Sequence, residues 1–145
     1  MPANKTILAT ADALAGKGKT AWGTLPGAAR ALAIAEGALL HPGLSLVITT
    51  DTAMADQLER ELRFFAPQLP VLSFPDWETL PYDRFSPHQD IISQRLKTLH
   101  QLPSVTQGIL VVPMTTLLHR IAPRSFLGGS VLMLEVGQQL DMEQR

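Results

Sequence analysis

Apolar residues along this 145-residue chain fall into short continuous runs that alternate with stretches of helical spacing. The run 44–50, Leu-Ser-Leu-Val-Ile-Thr-Thr, is β-rich and of the kind buried in a parallel sheet. Asp51 follows where an N-cap belongs, and Met54, Leu58, Leu62 and Phe65 recur at helical spacing. Asp56, Glu59, Arg60 and Arg63 fall on the solvated side. Pro67 and Pro70 end that helix before a second strand-like run, 71–74. Further on, Ile92, Leu96 and Leu99 repeat at i, i+4 and i+7, predicting a helix to about Leu102 that Pro103 stops. Residues 108–113 read as another buried strand, 114–121 as a short helix and 130–135 as a last strand. Upstream, 20–25 reads as a strand, Pro26-Gly27 as a tight turn and 28–36 as a helix of strong helix formers. Strands and helices in alternation, joined by short connections, predict βαβ units: a three-layer α/β/α domain with a mainly parallel sheet.

The length suits one domain able to bury roughly two-thirds of its unfolded surface. Twelve basic against thirteen acidic residues leave a net charge of -1, which argues against holding DNA by bulk phosphate neutralisation. With no cysteine there are neither disulfides nor thiolate metal sites. No apolar run approaches the ~20 residues of a membrane span, and the N-terminus lacks a secretory signal, so a cytoplasmic location is expected.

Candidate chemistry is sparse. Gly16-Lys-Gly-Lys-Thr20 looks like the end of a phosphate-binding loop, but Ala13 stands where the leading glycine belongs and no strand precedes it. His41, His88, His100 and His119 are scattered, with no zinc-type pair. Asp76, Glu78, Asp83 and Asp90 make a carboxylate-rich loop in which Arg84 and His88 offer ion-pair partners, and capping is the simpler role; Asp90 suits the first turn of the next helix. No metal site and no catalytic residue is assigned. The segment 74–92 is the unusual one: Trp77, Tyr82 and Phe85 stand among three prolines and several charges. Prolines bar a long helix or an internal strand, leaving an extended loop pinned by its rings. Those rings either stack on unpaired bases or dock a partner, or fold back onto the sheet. Arg95, Lys97 and His100 give the following helix a modest basic face.

The same segment carries a resemblance. Asp76-Trp-Glu-Thr-Leu-Pro-Tyr-Asp83, then Phe85-Ser-Pro-His88, then Arg95-Leu96, resembles the N-terminal part of the bacterial transcription-repair coupling factors, the Mfd family. The similarity runs from about Gly23 to the C-terminus, and the family's chains are several times longer, implying a fragment. In that family the region begins a module resembling UvrB. The resemblance implies a P-loop-like domain (20–127) behind an N-terminal extension (1–19), and the start of a second subdomain (128–145) after Gly128-Gly129. Against the UvrB pattern, Gly27, Ala28, Ala29, Arg30 and Ala31 stand where Gly-Ser-Gly-Lys-Thr is expected. Without the lysine and the magnesium-holding hydroxyl, phosphoryl transfer loses its charge stabilisation, and Pro113 and Met114 replace an Asp-Glu pair. The degenerate nucleotide site implies a non-catalytic scaffold with no cofactor of its own, ATP and magnesium serving a separate motor in the parent. The implied partners are UvrA and other domains of the parent, with RNA polymerase and DNA held elsewhere. The candidate contact residues are Trp77, Glu78, Tyr82, Asp83, Arg84, Phe85, His88, Arg95 and Lys97. An active nucleic-acid-dependent NTPase or helicase domain, or a small-ligand-binding α/β domain, are the alternatives.

Overall fold

The structure is a computed structural model that describes residues 18–79, 86–121 and 123. Within them run α1 (Ala29–Leu40), β1 (Leu44–Thr49), α2 (Thr52–Phe65), β2 (Val71–Ser73), α3 (Gln89–Gln101) and β3 (Gly108–Pro113), with 3-10 turns at Leu102–Ser104 and Met114–Leu118. The strands form a wholly parallel sheet in the order β1-β3-β2. The α/β class and parallel sheet expected from the alternation are therefore present. The second strand is one residue shorter than expected, although Phe74 N–H still donates to Val111 O. The helix expected over 114–121 is a 3-10 turn of five residues.

This order fixes the layers. Going from β1 to β2 the chain steps past β3, and from β2 to β3 it steps back. Right-handed crossovers moving in opposite directions leave their helices on opposite faces. Accordingly, alternate residues of β3 point opposite ways. Ile109 and Val111 join Val71, Ala55, Leu58 and Leu62 in the core under α1 and α2. Leu110 and Val112 share the other face with Leu99 of α3.

α2 forms where its sequence signals place it. Asp51 is extended and its Oδ1 accepts from Met54 N–H at 2.8 Å, satisfying an orphan amide of the first turn. Leu58 and Leu62, buried at 3% and 0% exposure, carry the apolar stripe. α1 has no side-chain N-cap, and its face is built of small residues. Ala31, Ala35 and Ala38 let it lie close to the core. Its C-terminal carbonyls are satisfied from far along the chain: Gln107 Nε2 donates to Ala38 O, Leu39 O and His41 O at 3.2, 3.4 and 2.9 Å.

Two expectations change. Residues 20–25 form no strand; they are irregular and largely exposed, because no neighbouring strand pairs with them. β1 is not buried on both faces: Leu46 and Ile48 are 55% and 47% exposed, since among the described residues α3 packs on β2 and none of the helices covers the β1 side of that face. The last strand at 130–135 and the Gly128-Gly129 junction lie outside the described residues.

Candidate functional site

Two places were singled out by sequence: the turn before α1 and the root of the aromatic loop. At the turn, Ala29 N–H donates to Pro26 O at 3.2 Å, and Gly27 has φ 52°. Positive φ at this position suits glycine, so the turn itself accounts for the residue. A β-carbon added at Gly27 would meet nothing within 4 Å, so no strand or helix packs closely over it. The strand that a phosphate cradle requires is missing at 20–25, which corrects the strand–turn–helix context. Ala28 caps the helix without a side-chain bond, Ala29 is half-buried and Arg30 is exposed. Ala31 has 0% exposure and belongs to the core. A hydroxyl at position 31 would face apolar neighbours.

The loop root is an interlocked cluster. Arg95 of α3 is 3% exposed, and its guanidinium carbon lies 4.1 Å from the ring centroid of Phe74 and 4.1 Å from that of Trp77. A planar cation between two aromatic faces is held by ring quadrupoles on both sides. Its Nη1 also donates to Pro75 O at 2.5 Å. Burial depresses the guanidinium pKa and the nearby Asp76 carboxylate partly restores it, so the charge is retained. Asp76 Oδ1 accepts from Trp77 N–H at 2.8 Å and lies 3.3 Å from His119 Nε2. One helical turn after Arg95, Thr98 Oγ1 donates to Ser73 O at 2.7 Å. Together Arg95, Thr98, Asp76 and His119 tie the exit of β2 to α3 and to the segment after β3.

This corrects the reading of α3. Arg95 does not share an exposed basic face with Lys97 and His100; it is spent internally, between Phe74 and Trp77, while Lys97 and His100 are exposed. Trp77 is half-buried and folds back on Arg95. Glu78 is exposed and takes φ 57°, an uncommon conformation for a residue with a β-carbon, where the chain turns away. His88 is the N-cap of α3, with Asp90 in its first turn. His88 Nδ1 accepts from Asp90 N–H at 3.4 Å and lies 3.3 Å from Asp90 Oδ2. Tyr82, Asp83, Arg84 and Phe85 lie outside the described residues. His119, 43 positions from Asp76, was not a candidate, and no local sequence signal connects the two. Among the described residues no group of three or more His, Asp or Glu is placed to hold a metal ion. Nor is any helix among them long and apolar enough to cross a membrane.

These features define a parallel-sheet α/β unit whose aromatic loop is anchored by an internal cation–π clamp. No family model matches the chain. It is 49% identical over 121 residues, 83% of its length, to the transcription-repair-coupling factor of Escherichia coli (strain K12), of which it covers 10%. It is 47% identical over 116 residues, 80% of its length, to that of Haemophilus influenzae, again covering 10%. To that of Mycobacterium tuberculosis it is 36% identical over 109 residues, 70% of its length and 9% of the relative's. The chain belongs to the transcription-repair-coupling factor family, matching one segment and spanning about a tenth of its relatives' length.

Proposed function

We propose that this chain is a non-catalytic, UvrB-like scaffold of a transcription-repair coupling factor, acting in transcription-coupled repair. The parent would link RNA polymerase stalled at DNA damage to recruitment of UvrA, with ATP hydrolysis in a separate motor. The observation that carries this reading is the 49% identity over 83% of the chain. Supporting its non-catalytic part, Ala31 occupies a core position in which no magnesium-holding hydroxyl is available, and Arg30 stands in place of a phosphate-reaching lysine. The clamp on Trp77 supports a fixed, structural role for the base of the aromatic loop, rather than a free stacking platform.

Calorimetric titration with Mg-ATP tests the non-catalytic part. No saturable heat is expected; micromolar binding that is lost in an Arg30→Ala variant would overturn it.

A further inference from the structure

Among the described residues β1 is an edge strand, paired only with β3 over an unbroken register from Leu44↔Gly108 to Thr49↔Pro113. In a parallel pair, alternate residues spend their N–H and C=O groups on the neighbour, and the residues between them point theirs the other way. Edges that stay single are ordinarily short, bulged, or guarded by charge or proline. β1 has none of these guards: Leu-Ser-Leu-Val-Ile-Thr is six residues long, uncharged, free of proline and without a bulge. Along it runs a groove of about 610 Å³. Leu46 and Val47 both line that groove, although successive residues of a strand project from opposite faces, so it follows the free edge rather than lying on one face. Ile34 and Ala38 of α1 line it as well, and so does Trp22, 39% exposed. The run 20–25, strand-forming in sequence but not a strand in the structure, therefore borders the same groove as the open edge of β1.

We propose that one further strand lies in this groove, hydrogen-bonded to the free edge of β1 and covered by Trp22, and that the parent chain supplies it from outside these 145 residues. The chemistry of the edge dictates an extended segment, since only another backbone satisfies a row of peptide groups. The length of chain outside the structure argues for its source: this chain covers 10% of the Escherichia coli relative, and the rest of such a parent is ample to provide a strand. A segment of about six residues matches β1, and a continuous apolar run is expected, because strands inside a parallel sheet are buried on both faces. The inference rests on the chain being part of a longer coupling factor, and on nothing about UvrA or nucleotide.

Amide hydrogen exchange, read residue by residue over β1, tests this in the dilute 145-residue chain and in the full-length parent. In the short chain the β1 amides bonded to β3 are expected to exchange slowly and the alternate ones between them at least about a hundredfold faster. In the parent that gap is expected to close to within about tenfold, because both sets are then bonded. Comparing the two sets within one strand separates edge pairing from a general gain in stability, which would slow both together. A gap that persists in the parent would overturn the proposal. So would a gap already absent from the dilute short chain, which would show the edge satisfied from within. Closure of the gap as the short chain is concentrated would overturn it too, by assigning the edge to a second copy. None of these readouts involves UvrA, so failure here leaves the scaffold reading standing.

Discussion

Arg95→Ala is the substitution with the most to lose. It removes a guanidinium 4.1 Å from each of two ring centroids and a hydrogen bond to Pro75 O. Each cation–π face is worth about 1 kcal/mol, approaching 2 when desolvated. A hydrogen bond to a charged group contributes about 1.5–3 kcal/mol, and Pro75 O loses that donor. Against these stands the cost of taking the guanidinium out of water, which its depressed pKa reflects and which alanine recovers. The net expectation is a loss of about 2–4 kcal/mol. With a urea m-value of roughly 2 kcal/mol/M for a domain of this size, the unfolding midpoint falls by about 1–2 M. Arg95→Lys keeps the charge but not the plane that stacks on two rings, and is expected to lose about 1–2 kcal/mol. Trp77 emission should shift to the red in both variants as its ring loses cover. An Arg95→Ala stability within about 0.5 kcal/mol of the unmodified chain, a midpoint shift of about 0.25 M or less, would refute the clamp, as would Lys and Arg being interchangeable.

Two further outcomes are specific. Asp51 has its pKa lowered by the Met54 amide and by the Thr50 hydroxyl, so its cap is at full strength above the ordinary carboxylate range and is lost as pH falls through the lowered value. Asp51→Asn, which still accepts from the amide, should flatten that part of the acid-unfolding profile with little change near neutrality. Gln107→Ala removes three bonds to the end of α1 and should cost about 1–2 kcal/mol, with amide exchange accelerating in the neighbouring turns; uniform exchange across the chain would contradict its capping role.

Much of the fold was legible because local signals agreed. β3 spans the very residues its apolar run marked, and α2 begins after the Asp51 cap and ends before Pro67. The run 20–25 has strand-forming residues but no neighbour to pair with, and pairing is a tertiary property. Strand order, with β3 between β1 and β2, follows from crossover geometry that no single segment encodes. Of the site, the aromatic loop was conspicuous but the clamp was not. Its signal was available: Arg95 sits between Ile92 and Leu99 on the apolar face, where a charged residue must find a partner, and Thr98 beside it is buried too. The Asp76–His119 contact joins residues 43 positions apart and had no such trace.

The scaffold reading is tested most directly by retention of UvrA. A surface that holds a partner stably buries about 800 Å² on each side, and the reading assigns most of that surface to the parent outside residues 1–145. Pull-downs should compare this chain with a version of the parent extended by about a hundred residues, the size of a further domain. The expected result is little UvrA held by the 145-residue chain and firm retention by the longer one. Equal retention by both would place the binding surface within these residues, and no retention by either would contradict the UvrA-recruiting role.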